Sequence, residues 1–140
     1  MPTFSPSSIS LAICIISDTL LDMERSTPLT AVFYRTASGN EPVREWLQSL
    51  TKQEKFRVGV DIWKVQSEWP IGMPHVRPLG SGLHEVRSSL PHGIARVLFI
   101  IDGDEMVLLH GFIKKTRKTP PEALALADKR RRDYEQSKED

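Results

Sequence analysis

The stretch from Val107 to Pro121 constrains the fold more than any other part of the chain. It starts with consecutive apolar residues, as a buried strand does, and reaches Gly111. Four cations follow within five residues: Lys114, Lys115, Arg117 and Lys118. Thr119 is a predicted helix N-cap, with Pro120 at the first helical position and Glu122 three residues after the cap. The stretch therefore predicts a strand that leads into a cationic loop, which a capped helix holds in place.

The cationic loop has two interpretations. Neighbouring like charges repel one another, and an anion bound among them would relieve the repulsion. RNA or DNA is a polyanion that suits such a loop. The alternative is a solvated basic connection between a strand and a helix, and composition alone leaves both open.

Three strands are predicted in quick succession before and within this stretch. They cover Leu83–Ser88, Ile94–Ile101 and Met106–Ile113, and the turn Asp102-Gly103-Asp104 makes the last two an antiparallel hairpin. In the first of them, Leu83 and Val86 cannot share one face of a regular strand. This predicts either a bulge or partial burial on both faces.

The chain before these strands predicts one strand and two helices. Ala31–Arg35 is rich in β-branched and aromatic residues, and Asn40 is placed to cap a helix that extends to about Ser49. A capping box at Thr51–Glu54 starts a second helix, which ends near Glu68. Its predicted core face consists of Phe56, Val60 and Trp63, at helical spacing. The first helix is expected to bury Val43, Trp46, Leu47 and Leu50.

The predicted element order is β-α-α-β-β-β-α, with Ile71–Pro78 as a turn-rich connection. Consecutive antiparallel strands with helices kept apart from them define an α+β domain. A length of 140 residues suits one domain, which is expected to cover residues 30–140. The single cysteine, Cys14, fits a reducing cytosol, and no apolar run approaches the roughly 20 residues that cross a bilayer. We therefore predict a cytoplasmic protein with no membrane association.

Residues 1–29 differ in composition from the rest and form a predicted N-terminal extension. They are rich in serine and proline at first, then contain the apolar run LAICII, and carry three carboxylates against one arginine. A disordered tail, an additional packed element, and an upstream extension before a start at Met23 all fit. If the segment folds, its apolar run must be covered, because exposed apolar residues promote aggregation.

Two arginines are the strongest candidates for residues of a functional site. Arg96 lies within the apolar strand IARVLFII, so its guanidinium must reach an exposed face or be paired. Arg87 lies across a short hairpin from it, and the two could meet on one face near Lys114 and Lys115. Such a cluster would bind a phosphodiester, since arginine grips phosphate oxygens in a bidentate manner. The alternative is structural: Arg87 pairs with Glu85, and Arg96 closes a salt bridge.

His110 has an apolar sequence environment and is read either as a satisfied sheet histidine or as a general base. The other histidines and Cys14 lack the spacing of metal ligands, so neither a metal nor a cofactor is predicted. The chain also has no phosphate-binding loop, dinucleotide fingerprint or nucleophile elbow.

These motifs in order resemble the RelE/ParE toxin superfamily. The matching segments are FYR, LHEVR, GIARVLFI and VLLHGFIKKTRKTP followed by a helix, within residues 30–135. More narrowly, the chain is similar to the phage-derived HigB-like branch of type II toxin–antitoxin modules. The resemblance implies two N-terminal helices and a C-terminal helix around a curved antiparallel sheet.

The resemblance also implies a ribosome-dependent endonuclease that cuts messenger RNA without a metal. The RNA 2′-OH would attack the adjacent phosphate, and cations would stabilise the transition state. The implied catalytic residues are Arg87, Arg96, Lys114, Lys115 and His110. Phe112, Arg117 and Lys118 would bind the substrate, with Phe112 stacking on a base. The implied partner is an antitoxin, of the helix-turn-helix HigA-like kind for HigB-like members.

Two other functions remain open on this scaffold. A ParE-like toxin would inhibit DNA gyrase without catalysis, and an inactive phage remnant would only bind a regulator. Arg87, Arg96 and the lysine pair favour the nuclease, because a gyrase inhibitor needs no cluster that grips phosphate.

Overall fold

The computed structural model describes residues 27–115 and 118–139. Most of the predicted N-terminal extension, residues 1–26, therefore lies outside the described residues, as does Arg117. The elements follow the chain as strand β1 (Thr30–Phe33), helices α1 (Pro42–Ser49) and α2 (Lys52–Glu68), strands β2 (Val76–Gly80), β3 (Leu83–Leu90), β4 (Gly93–Asp102) and β5 (Glu105–Lys114), and helix α3 (Pro121–Glu139). The α+β class agrees with the prediction.

The five described strands form a mixed sheet in the order β1-β5-β4-β3-β2. Strands β2 to β5 are antiparallel neighbours, but β1 pairs in parallel with β5, Thr30 opposite Glu105 and Phe33 opposite Leu108. The prediction of a purely antiparallel sheet is therefore wrong at this edge. The long crossover from β1 to β5 permits parallel pairing, which a short hairpin would not.

Strand β2 is a second correction, because the sequence predicted a turn-rich connection at this position. It pairs with β3 along one edge of the sheet, Val76 opposite Val86 and Arg77 opposite Glu85. Pro78 is tolerated there because an edge strand has backbone groups that need no ladder partner. The register shifts between Pro78 and Gly80. The observed order is thus β-α-α-β-β-β-β-α.

Both faces of the sheet carry a core. One core lies under α1 and α2 and includes Leu47, Ile62, Val86, Val97 and Phe99. The other lies under α3, where a second set of side chains is buried: Leu83, Leu98, Ile100, Val107, Leu109, Ala123 and Ala127. Leu83 and Val86 therefore face opposite cores, which confirms the alternative of burial on both faces of β3. Leu29, at the end of the predicted extension, also belongs to the first core.

Helix α1 buries the predicted face, with Val43 and Leu47 in the core and Trp46 and Leu50 packed against it. Helix α2 has the predicted capping box: Thr51 Oγ1 accepts from the Glu54 N–H at 3.2 Å, and Glu54 Oε1 accepts from the Thr51 N–H at 2.9 Å.

The predicted core face of α2 is wrong. Val58, Ile62 and Val65 are buried, whereas Phe56 is 49% exposed. Two sets of residues have helical spacing on this helix, and contact with β3 selects the set that is buried.

Helix α3 begins at Pro121, one residue later than predicted, and the Thr119 hydroxyl donates to Glu85 Oε2 at 2.5 Å. The predicted capping role of Thr119 is therefore replaced by a contact with the sheet. Hydroxyl groups hold the far end of the helix: Tyr34 donates to Asp133 at 2.6 Å and Tyr134 donates to Asp102 at 2.7 Å. Among the described residues, no helix combines the length and apolarity that a membrane span requires.

Candidate nucleic-acid interface

The register of the sheet brings most of the predicted site residues onto one face. Arg87 lies directly opposite Arg96, and Arg96 lies opposite Phe112 on the next strand. Two residues further along, Ile94 lies opposite Lys114, and two residues in the other direction Leu98 lies opposite His110. Side chains two residues apart on a strand share a face. Arg87 and Arg96 therefore lie opposite each other on the face of the sheet that Lys114 and His110 share.

Arg96 is fully buried, at 0% exposure, although it carries a guanidinium. Its Nη1 donates to the carbonyl oxygen of Lys118 at 3.0 Å, so the strand arginine reaches the cationic loop. Burial lowers the pKa of Arg96, the Glu85 carboxylate opposes this, and the neighbouring cations Arg87 and Arg77 lower it further. Arg96 thus holds the Lys118 carbonyl, and its own guanidinium is buried.

Glu85 supplies the buried negative charge of this face and is also 0% exposed. Its Oε2 accepts the hydrogen bond from Thr119, and its Oε1 lies 3.8 Å from Nε of Arg87. Two like charges directly opposite each other in a sheet are destabilising, and a carboxylate beside them offsets the repulsion. Glu85 therefore holds together the arginine pair on the strands and the start of α3.

In contrast to Arg96, the other predicted cations among the described residues are accessible to solvent. The Arg87 side chain is 22% exposed, and Lys114, Lys115 and Lys118 are exposed. Lys114 is the last residue of β5, and Lys115 follows the strand, so only Lys114 has a register position on the face. Arg87 and Lys114 are the predicted cations that combine a fixed place on the sheet with access to solvent.

His110 and Phe112 stack on each other next to α3. Their ring centroids are 5.1 Å apart with an angle of 27° between the planes, and Arg130 Nη1 lies 3.5 Å from His110 Nδ1. Burial, together with the Arg130 cation, lowers the pKa of His110 to about 4. At neutral pH the ring is uncharged, and a base with so low a pKa accepts a proton poorly.

A cleft of about 340 Å³ lies between β5 and the start of α3. His110, Phe112 and Lys114 line one side, and Pro120 and Glu122 line the other. The cleft thus combines an aromatic surface with a cation, which suits a base and a phosphate of a single-stranded nucleic acid.

Sequence reasoning did not assign a site role to Arg77, Glu85, Thr119 or Glu122. Arg77 was missed because β2 was read as a connection, and its position opposite Glu85 depends on strand pairing. The sequence did contain a signal for Glu85, because it is a charged residue in a strand with both faces buried. Within the described ranges, no three His, Cys, Asp or Glu residues are grouped so as to hold a metal ion.

The chain matches the family model described as "Phage derived protein Gp49-like (DUF891)" over residues 45–132. This is more than half of the chain, and it includes α2, strands β2 to β5 and most of α3. No curated protein matches the chain significantly.

Proposed function

The chain belongs to the Gp49-like family of phage-derived proteins, which is associated with RelE-like toxins of toxin–antitoxin systems. From this premise we propose that it is the toxin of a type II module and that it cleaves messenger RNA on the ribosome. The single observation that carries the proposal is the cationic face. Arg87 and Lys114 are accessible on the same side of the sheet, next to the buried side chains of Arg96 and Glu85, which bond to the Lys118 carbonyl and the Thr119 hydroxyl.

This face suits a ribose–phosphate chain. Arg87 and Lys114 contact the scissile phosphate, and Lys115 and Lys118 attract the flanking phosphates. Phe112, in the cleft beside α3, stacks on a base. Arg96 acts as a positioning residue, because its guanidinium holds the Lys118 carbonyl.

The chemistry is a transfer within the RNA strand. The 2′-hydroxyl loses its proton as its oxygen bonds to the adjacent phosphorus, the bond from phosphorus to the 5′-oxygen breaks, and the 5′-oxygen takes up a proton, so that the products are a cyclic phosphate and a 5′-hydroxyl. Negative charge grows on the phosphate oxygens in the transition state, and preorganised cations stabilise it. His110 contributes stacking in this scheme, since its low pKa makes it a poor base.

The partner in this proposal is a helix-turn-helix antitoxin of the HigA-like kind. It would silence the toxin by covering the cationic face or by holding α3. Both modes act on the same cleft, because α3 forms one of its walls.

Induction of the wild-type chain in bacteria, without an antitoxin, tests the proposal. We expect growth arrest, with transcripts cut within codons. Arg87→Ala and Lys114→Ala should each reduce cleavage by about 100-fold, the scale of losing one transition-state contact. Arg132→Ala is the matched control, because the Arg132 side chain is 70% exposed on α3.

Full cleavage by both site variants would remove the cationic face from the mechanism. Intact transcripts with DNA breaks and an SOS response would overturn the nuclease in favour of a gyrase inhibitor. A folded chain that neither arrests growth nor cleaves RNA would indicate an inactive remnant.

A further inference from the structure

Arg130 of α3 is held in one place beside β5. Its Nη1 donates to the carbonyl oxygen of Leu109 at 2.8 Å, and its guanidinium carbon lies 6.0 Å from the centroid of the Tyr34 ring. Tyr34 is buried, and its hydroxyl donates to Asp133, one helical turn further along α3, at 2.6 Å. The guanidinium is therefore fixed by a strand carbonyl on one side and by an aromatic ring on another.

The fixed guanidinium determines which nitrogen of His110 carries the ring proton. Arg130 Nη1 lies 3.5 Å from His110 Nδ1. A guanidinium can only donate hydrogen bonds, and in a neutral imidazole one nitrogen donates while the other accepts. A proton on Nδ1 would point towards a cation, so Nδ1 is the acceptor and Nε2 carries the proton. The ring is neutral at physiological pH, because burial and the Arg130 cation lower its pKa to about 4.

The Nε2–H group is the donor that His110 can offer to a ligand in the cleft between β5 and α3. Among the described residues, Nε2 has no hydrogen-bond partner, and it is not one of the buried polar atoms that lack a partner. His110, Phe112 and Lys114 line the cleft from the same face of β5, whereas Arg130 lies about two turns of α3 beyond Ala123, which also lines it. Along the strand the cleft therefore offers an uncharged donor, an aromatic surface and a cation.

We propose that Arg130 is a positioning residue that holds His110 as an uncharged hydrogen-bond donor, through which the cleft selects among RNA bases. The inference rests on the proposed function, because the base concerned is the one that stacks on Phe112. The donor bonds to a ring nitrogen or a carbonyl oxygen on the edge of that base, and Lys114 binds the phosphate. Bases differ in where they carry such acceptors, so a donor in a fixed place discriminates among them.

The tautomer is measured by long-range proton–nitrogen correlation NMR of the full chain at neutral pH, with labelled histidines. The His110 signals are identified by their absence from a His110→Phe chain. We expect Nδ1 without a proton and Nε2 with one. Arg130→Met should shift both nitrogen signals, because the ring then exchanges between tautomers, and Arg130→Lys should restore them in part because lysine retains a donor.

Tyr34→Phe is the matched control for loosening of α3. It removes the hydrogen bond to Asp133 but keeps an aromatic ring beside Arg130, so the His110 signals should stay in place. A proton on Nδ1 in the wild-type chain overturns the positioning role of Arg130, and so do signals that Arg130→Met leaves unchanged.

Base selection is measured by fluorescence anisotropy with short single-stranded oligomers of A, C or U. The wild-type chain should bind one of them about tenfold more tightly than the weakest, the scale of one hydrogen bond between uncharged groups. His110→Phe keeps a ring against Phe112 but has no donor, and it should bind the oligomers alike. Tyr34→Phe should keep the wild-type preference.

The outcomes separate this inference from the proposed function. The same preference in the wild-type and His110→Phe chains overturns base selection by His110 and leaves RNA cleavage standing. A wild-type chain that binds none of the oligomers overturns the proposed function, and base selection with it.

Discussion

Arg96 and Glu85 form the buried charged centre of the cationic face. Both are fully buried, and each contacts the segment after β5: Arg96 through the Lys118 carbonyl and Glu85 through the Thr119 hydroxyl. Replacing one member of a buried charged pair leaves the other without compensation. The two residues therefore stabilise this face of the sheet and hold Lys118 and Thr119 in place.

We predict that Arg96→Ala lowers the free energy of unfolding by about 3 kcal/mol, because it leaves the Glu85 carboxylate buried without this cation. Arg35→Ala, at an exposed arginine, should change it by less than about 0.5 kcal/mol. Urea unfolding followed by circular dichroism measures both. Equal midpoints for the two variants would contradict the structural role of Arg96.

His110 makes stability depend on pH in a definite direction. Its pKa falls from 6.5 to about 4 on folding, so the unfolded chain binds a proton in this range that the folded chain does not. Stability is therefore lost as the pH falls from 6.5 towards 4. Burial also lowers the pKa of His84, which contributes in the same direction.

We predict that His110→Gln flattens this loss, because glutamine cannot take up the proton. The measurement is the urea midpoint at several pH values between 4 and 7, for wild type and variant. The difference between the two curves isolates His110 from His84 and the carboxylates. Parallel curves would contradict the assignment.

At the scale of elements, β5 connects the two layers of helices. Gly111, in the middle of β5, lies under the Trp46 ring of α1, and a Cβ at this position would stand 2.4 Å from the ring. On the opposite face, His110 and Leu109 contact Arg130 of α3. The position of β5 therefore sets where both α1 and α3 sit.

We predict that Gly111→Ala costs about 1–3 kcal/mol of stability, because α1 must shift to relieve the overlap with Trp46. Gly72→Ala is the matched control, because a Cβ there meets nothing within 4 Å. Thermal unfolding compares the two, and the displaced Trp46 should also change the tryptophan fluorescence. A Gly111→Ala chain as stable as the control would contradict close packing at this site.

At the scale of the whole molecule, the charge is nearly balanced but unevenly distributed. The formal net charge is +1, so any attraction to nucleic acid depends on the local cationic face. In the proposed function, a few phosphate contacts would dominate the binding of RNA, and each contact would release counterions.

We predict that binding of a short single-stranded RNA weakens with salt at a logarithmic slope of roughly −0.7 per phosphate contact. Arg87→Ala and Lys114→Ala should each make the slope shallower by about one contact, whereas Arg132→Ala should leave it unchanged. Fluorescence anisotropy at several salt concentrations gives the slopes. Identical slopes in all variants would place RNA binding elsewhere.

The sequence by itself determined the elements whose interactions are local. Strands β3 to β5, the capping box of α2 and the placement of Arg87 opposite Arg96 all follow from short-range signals. Alternation fixes the faces of a strand, hairpin turns fix the register, and a cap forms its hydrogen bonds within four residues. The strand, cationic loop and helix after residue 107 were predicted for the same reason.

Only the tertiary structure decided the features that depend on distant partners. These are the parallel pairing of β1 with β5, the edge strand β2, the buried side of α2, the burial of Arg96 and the contact of Thr119 with Glu85. In each case the residues were compatible with more than one arrangement. Contacts with residues distant in the sequence determined which arrangement forms, and a local sequence pattern contains no information about the burial or charge of those residues.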